Sequence, residues 1–100
     1  MRKLKIVILE EAIKDLEEIW FYTFATWSLE QADRYHLLIT KEIDFLASKP
    51  ESGKTVDYLR KGYRSSKVKS HYIFYKTTAN AIEIVRILHE NMDIPNRFND

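Results

Sequence analysis

The spacing of apolar residues changes along the chain and divides it into strands and helices. In residues 3–9, KLKIVIL, apolar and charged side chains alternate at the start, which predicts a strand. From Glu10 or Glu11 to about Thr26, apolar residues recur every three or four positions, which is the period of an amphipathic helix. The sequence therefore begins with a strand that a helix follows directly.

A second helix begins one or two residues later. The segment SLEQ is typical of a capping box, in which the hydroxyl of Ser28 accepts a hydrogen bond from the amide of Gln31. Apolar residues continue at helical spacing up to Pro50, which disfavours helical geometry at the residue before it. We therefore predict a helix from Leu29 to about Ser48, and the short link between the helices predicts an antiparallel helical hairpin.

Three more strands are predicted after a connector, residues 49–62, which contains Pro50 and both glycines without a sustained period. The strands are Tyr63–Lys69, His71–Thr77 and Ala81–His89, with links short enough for hairpin turns. The order β-α-α-β-β-β predicts an α+β fold in a single domain over residues 1–100. The N-terminal strand and the helical hairpin should pack on one face of a mainly antiparallel sheet.

Arg86 interrupts the aliphatic pattern of the last predicted strand. Regular alternation places it on one face with Ile82, Ile84 and Leu88, and places His89 on the opposite face with Glu83, Val85 and Ile87. An arginine there is either paired in place or directed at a groove. Because a buried arginine is costly without a partner, the first alternative predicts a salt bridge to a helix carboxylate such as Asp15 or Glu18.

Composition excludes several classes of site and favours an anionic partner. The chain has no cysteine, its three histidines lack metal-ligand spacing, and two glycines are too few for a phosphate-cradling loop, so we expect neither a metal nor a cofactor. No apolar run is long enough to span a bilayer and no signal peptide is apparent, so we expect a cytoplasmic protein without membrane contact. Net charge is +1, but residues 60–76 hold six basic residues and no acidic one.

Two clusters of side chains have alternative interpretations. The aromatic residues around Trp20 and Trp27 either pack the helical hairpin or form a recognition tip. The cations and aromatics of the middle strands form either a solvated sheet edge or a phosphate-binding surface, with Arg64 as a bidentate donor. Alternation separates Arg64 from Lys67 and Lys69, so these cations cannot all serve one site.

Several segments in order resemble the ParE branch of the RelE/ParE toxin superfamily. They are DLEEIWFYTFATWSLEQADRY, KPESGKTVDYLRKGYR, HYIFYK and VRILHENMDIPNRF, of which the R-I-L-H-x-x-M-D part is the most specific. The resemblance covers nearly the whole chain and implies the same element order. It implies the toxin of a type II toxin–antitoxin system, which inhibits DNA gyrase by trapping its cleaved-DNA complex without bond chemistry of its own. It also implies neutralisation by a ParD-like antitoxin in a hetero-oligomer.

The resemblance assigns candidate residues to two surfaces. The positions that match the family, with roles in structural anchoring or gyrase contact, are Arg64, Arg86, His89, Met92, Asp93 and Arg97. The candidates for antitoxin binding are Trp20, Trp27, Tyr63, Lys67, Lys69, Tyr72 and Phe74.

Two other functions stay open at this point. The sister RelE branch implies a ribosome-dependent mRNA endoribonuclease, which needs an acid, a base and phosphate-binding cations. Phe98 counts against that function, because a phenylalanine cannot transfer a proton where such ribonucleases tend to have a phenol or an imidazole. The third possibility is a non-toxic module that binds the antitoxin and acts as a co-repressor of their operon.

Overall fold

A computed structural model describes residues 3–98 of the chain. The helix boundaries agree with the sequence prediction, while the first strand is shorter and a two-residue strand appears within the connector. The elements are β1 (Lys5–Ile8), α1 (Glu10–Thr26), α2 (Leu29–Ser48), a 3-10 turn (Pro50–Ser52), β2 (Lys54–Thr55), β3 (Arg64–Val68), β4 (His71–Thr77), β5 (Ala81–His89) and α3 (Ile94–Arg97).

The five strands form one mixed sheet in the order β1-β5-β4-β3-β2. Strand β1 pairs with β5 in parallel, and the other three pairings are antiparallel. The parallel pairing is possible because the chain crosses over through the two helices before it returns to the sheet. The predicted α+β fold with a mainly antiparallel sheet is confirmed.

The helical hairpin covers one face of the sheet. The amide of Gln31 donates to the Ser28 hydroxyl at 3.1 Å, so the predicted N-cap of α2 is present. The apolar stripes of both helices bury against the sheet because burial removes their side chains from water. The buried members of this main core are Ala12, Leu16, Ile39, Ile43, Leu46, Ala47, Ile73, Tyr75, Ile82, Ile84 and Ile87. No helix within residues 3–98 is long and apolar enough to cross a membrane.

A second, smaller core covers the opposite face of the sheet. Val56 from the connector and Phe98 from the end of the chain pack there against Phe74, Val85 and Leu88. The ring centroids of Phe74 and Phe98 lie 5.1 Å apart in an edge-to-face arrangement. The connector and the C-terminal segment are therefore part of the folded body.

A β-bulge in β5 reverses the predicted alternation of the last strand. Phe74 pairs with Arg86, but the next residue, Tyr75, pairs with Ile84, so Val85 is an extra residue in β5. After the bulge, the side chains of β5 change faces. The prediction that Arg86 and Leu88 share the face of Ile82 and Ile84 is wrong for this reason, because Ile82 and Ile84 lie in the main core and Leu88 does not. Ile87, which the prediction placed opposite Ile84 together with His89, lies in the main core. Val85 and Leu88 belong to the second core.

Candidate functional site

A cleft of about 450 Å³ opens between α1 and the ends of β4 and β5. The bulge turns the end of β5 toward the helices, and this end of the strand forms the wall of the cleft on the sheet side. Its lining residues are Asp15, Glu18, Ile19, Tyr22, His71, Ile87, His89, Asn91 and Met92. The two candidates His89 and Met92 therefore lie in one cleft, together with residues that sequence analysis did not select.

Two histidines face each other across neighbouring strands in this cleft. His71 of β4 pairs with His89 of β5, and their ring centroids lie 5.1 Å apart with perpendicular planes. The backbone amide of Asn91 donates to Nδ1 of His89 at 3.0 Å. In its neutral form, His89 therefore carries its proton on Nε2.

Tyr35 of α2 holds His71 from the other side. Its hydroxyl and Nδ1 of His71 are joined by a hydrogen bond of 2.5 Å. The same hydroxyl accepts from the amide of Ser70 at 3.3 Å, so it ties α2 to the turn between β3 and β4. Burial, followed by the proximity of His89, lowers the pKa of His71 to about 4, so His71 is neutral at pH 7.

Asp15 of α1 lines the cleft and is held by Arg86, which lines the neighbouring depression. The guanidinium donates from Nε and Nη2 to the two carboxylate oxygens of Asp15, at 2.8 and 2.9 Å. The same carboxylate accepts from the backbone amide of Ile87 at 2.9 Å, where β1 no longer covers the edge of β5. These hydrogen bonds raise the pKa of Arg86 further above its usual value. The predicted salt bridge between Arg86 and a helix carboxylate is confirmed, with Asp15 as the partner.

Arg64 lies outside the cleft and anchors the connector. Its Nη1 donates to the carbonyl oxygens of Gly53 at 2.7 Å and Glu51 at 3.3 Å. The hydroxyl of Tyr75 holds the same turn, because it accepts from the amide of Gly53 at 2.9 Å and donates to the carbonyl of Pro50 at 2.8 Å. A Cβ atom at Gly53 would lie 2.1 Å from that hydroxyl oxygen, so the close approach requires glycine. The geometry gives Arg64 a structural task.

The remaining candidates near the C-terminus are dispersed. Met92 has an exposed fraction of 41% at the rim of the cleft. Asp93 is the N-cap residue of α3, and its carboxylate accepts from the side-chain amide of Asn96. Arg97 lines a different depression, on the side of the second core, together with Arg60. The structure thus brings His89 and Met92 together in the cleft, and it brings Arg86 and Arg97 together in the other depression.

The aromatic residues of the helical hairpin form a surface that we call the aromatic tip, consisting of Trp20, Phe21, Phe24 and Trp27. Trp20 stacks on Phe24 with 5.3 Å between ring centroids, and its indole N–H donates to Asp33 at 3.0 Å. Trp27 is 74% exposed, and Phe21 is 64% exposed. An exposed cluster of large apolar side chains is typical of a surface that binds a protein partner.

The candidates on the middle strands lie on the other face of the sheet. Phe74 is buried in the second core, and Tyr63 and Tyr72 pack against that core. Lys67 forms a salt bridge of 2.8 Å with Glu90, and Lys69 occupies the turn after β3 with a φ of 54°. These residues and the aromatic tip therefore cannot form a single groove.

The residues that sequence analysis missed have no local signal. Tyr35 occupies an ordinary apolar position in the helical pattern of α2, and Tyr22 occupies an ordinary position in α1, while Glu18 was named only as a possible partner of Arg86. They become neighbours of His71 and His89 only through the packing of the hairpin on the bulged strand. Among residues 3–98, no three His, Cys, Asp or Glu side chains are arranged to hold a metal ion.

The lining of the cleft determines which chemistry it favours. The carboxylate of Glu18 and that of Asp15, which is paired with Arg86, line the cleft, and no lysine or arginine is among the described residues that line it. A phosphate would therefore meet repulsion there, whereas a cation would be attracted.

Comparison with known proteins gives the family. The model of a family described as the ParE toxin of the type II toxin-antitoxin system parDE matches residues 6–94. The chain belongs to the ParE toxin family. Its relatives include Toxin ParE1 from Mycobacterium tuberculosis, which is 40% identical over 80 residues and matches over 79% of this chain and 82% of the relative. Toxin ParE from Escherichia coli is 32% identical over 95 residues, covering 94% of this chain and 92% of the relative.

Two solved structures share the fold. A chain of the chromosomal ParDE toxin–antitoxin system from P. aeruginosa has a TM-score of 0.76 at 17% identity, with 87% of this ParE-family chain and 96% of that chain covered. A chain of the RelBE2 toxin-antitoxin complex from Mycobacterium tuberculosis has a TM-score of 0.59 at 18% identity, with coverage of 88% and 99%. The family membership confirms the resemblance noted in the sequence, and this protein is a ParE-family toxin of a type II toxin–antitoxin system.

Proposed function

We propose that this ParE-family toxin inhibits DNA gyrase by binding its cleaved-DNA complex, without catalysing a bond change itself, and that a ParD-like antitoxin neutralises it. The observation that carries the proposal is the charge around the histidine pair. His71 and His89 adjoin Asp15 and Glu18, so an acid–base pair at this place would have to work on a phosphate in a repulsive field.

The candidate phosphate-binding cations support the same conclusion. The Arg64 guanidinium holds connector carbonyls, and the Arg86 guanidinium holds Asp15. The ammonium of Lys67 is paired with Glu90. Phe98 packs in the second core and presents no proton. A ribonuclease needs its cations directed at the scissile phosphate beside its acid and its base, whereas Arg86 and Arg97 line a different depression from the one that His71 and His89 line.

Inhibition by binding alone sets a condition on affinity. The toxin must bind the cleaved form of gyrase more tightly than the resealed form, since equal affinity shifts no population. A preference of about a hundredfold, or about 2.7 kcal/mol, would turn a minor cleaved population into the main one. We place the contact with gyrase at the cleft and its rim, where His89 and Met92 are accessible beside the end of β5.

The antitoxin would use other surfaces. We propose that an apolar segment of the ParD-like antitoxin covers the aromatic tip and that its acidic residues lie along the basic stretch of residues 60–76. Disordered antitoxin segments of this kind bury large surfaces as they fold on the toxin. Replacing Trp27 by Ala should weaken antitoxin binding in calorimetry and leave gyrase binding unchanged.

The deciding experiment is a cleavage assay with purified toxin, gyrase, ATP and supercoiled plasmid. We expect linear DNA after detergent and protease treatment, and none with gyrase that lacks its active-site tyrosine. The variant His89→Gln should lower the yield of linear DNA. The matched control is His36→Gln, because His36 is exposed on α2 away from the cleft, and this variant should behave as the unsubstituted toxin.

Two other outcomes would contradict the proposal. Messenger RNA cut on ribosomes without linear plasmid would identify the ribonuclease function of the sister branch. Normal growth and intact DNA and RNA during toxin expression would identify a module that only binds the antitoxin and represses their operon.

A further inference from the structure

The cleft beside the histidine pair has a surplus of negative charge. Asp15 is neutralised by the guanidinium of Arg86 in a two-pronged contact. Glu18 and Glu11 also lie near that guanidinium and act on it electrostatically. Glu11 lines a different depression and lies 3.6 Å from the ammonium of Lys14, so Glu18 is the carboxylate of the cleft that adds to the pair of Asp15 and Arg86. Because Glu18 is exposed at the wall of the cleft, its charge is available to an incoming group.

The rest of the lining suits a long side chain with a planar end. Ile19 and Ile87 provide apolar walls for a methylene stem. The ring of Tyr22 is 70% exposed and offers an aromatic face, and the thioether of Met92 is 41% exposed at the rim. The volume of about 450 Å³ is ample for one large side chain.

We propose that this cleft binds an arginine side chain of the toxin's protein target, with the guanidinium paired to Glu18 and stacked on Tyr22. A guanidinium fits better than an ammonium because it is planar, weakly hydrated and able to stack on an aromatic ring while it donates to a carboxylate. A phosphate or a carboxylate side chain is disfavoured by the charge of Glu18, since Arg86 already neutralises Asp15. The assignment of this arginine to DNA gyrase rests on the proposed function. The assignment of the cleft to an arginine side chain does not rest on it.

Short peptides test the cleft without gyrase. The probe is N-acetyl-Gly-Arg-Gly-amide, titrated into isotope-labelled toxin while the imidazole signals of His71 and His89 and the methyl signal of Met92 are followed by NMR. The matched control is the citrulline peptide, whose planar ureido group has nearly the same shape but no charge, three N–H donors in place of five, and a carbonyl oxygen. We expect saturable shifts with the arginine peptide and binding of the citrulline peptide that is about tenfold weaker.

A pair of adjacent carboxylates supplies the control within the protein. Glu18→Gln should reduce the affinity for the arginine peptide to that of the citrulline peptide. Glu17→Gln removes the same charge from the preceding residue of α1, which faces away from the cleft. This variant should leave the affinity for the arginine peptide unchanged. Equal binding of the arginine and citrulline peptides, tighter binding of a glutamate peptide, or an unchanged affinity in Glu18→Gln would overturn the proposal.

The same two variants connect the cleft to gyrase. We expect Glu18→Gln to weaken binding to gyrase on cleaved plasmid by about tenfold and Glu17→Gln to have no effect. If unsubstituted toxin binds the arginine peptide but not gyrase, the proposed function fails while the cleft assignment stands. If it binds gyrase and Glu18→Gln binds gyrase equally well, the role of the cleft in target binding fails while the proposed function stands.

Discussion

The contact between Asp15 and Arg86 should make one of the largest single contributions to stability in this fold. The two side chains are 8% and 19% exposed, so the pair is largely withdrawn from water. Replacing Asp15 with Ala removes two charge-assisted hydrogen bonds and leaves the amide of Ile87 without its acceptor. Breaking one partner of a buried ion pair costs about 3–5 kcal/mol. We expect about 3 kcal/mol, because the guanidinium can still turn toward Glu11 and Glu18.

Urea unfolding followed by far-ultraviolet circular dichroism measures this cost. The free energy of unfolding in water should fall by about 3 kcal/mol in Asp15→Ala with an unchanged denaturant slope. The control Glu17→Gln, an exposed carboxylate on the same helix, should change it by less than about 0.5 kcal/mol. Combining Asp15→Ala with Arg86→Met should cost much less than the sum of the single changes, because each residue is costly mainly when left without the other. A loss below about 1 kcal/mol in Asp15→Ala, or additive effects in the double variant, would refute this reasoning.

Three further predictions concern other parts of the fold. Tyr75→Phe leaves the amide of Gly53 and the carbonyl of Pro50 without their shared hydroxyl and should lower the free energy of unfolding by about 2 kcal/mol in urea. An unchanged urea midpoint would show that these two hydrogen bonds do not stabilise the turn. Phe98→Ala should open a cavity in the second core and cost about 3 kcal/mol in the same assay, whereas a cost near zero would mean that Phe98 does not pack there. The pKa of His71 is lowered to about 4 in the folded protein, so as pH falls the unfolded chain takes up a proton first, and the free energy of unfolding should decrease from about pH 6.5 toward pH 4. NMR titration of the imidazole and a smaller pH dependence of the free energy of unfolding in His71→Asn would check this prediction. A pKa near 6.5 for His71 in the folded protein would contradict it.

Local patterns were sufficient to predict the helices and most strands. The three-to-four spacing and the Ser28 cap define α1 and α2 because both signals act over a few residues of sequence. The partner of Arg86 was also predictable, since a guanidinium in an apolar strand needs a nearby carboxylate and α1 supplies one in Asp15.

The bulge and the second core were beyond local patterns. Nothing in the segment AIEIVRILH marks Val85 as an extra residue, because a bulge is a property of two paired strands. The arrangement of the candidate site could not be predicted from local patterns either. His89 was selected from its resemblance to a family, but its neighbours Tyr35 and His71 are brought to it by the register of β4 and the packing of α2.

The pairing of the first strand with the last has a consequence for synthesis on the ribosome. The α1–α2 hairpin needs only neighbouring residues and can form early, but Lys5 finds its partner only when Ala81 has emerged. The strand that carries His89 is also the one that completes the sheet. A nascent chain therefore has no assembled cleft until most of its length has been translated, and truncated chains from interrupted translation would lack the surface through which we propose that the toxin acts.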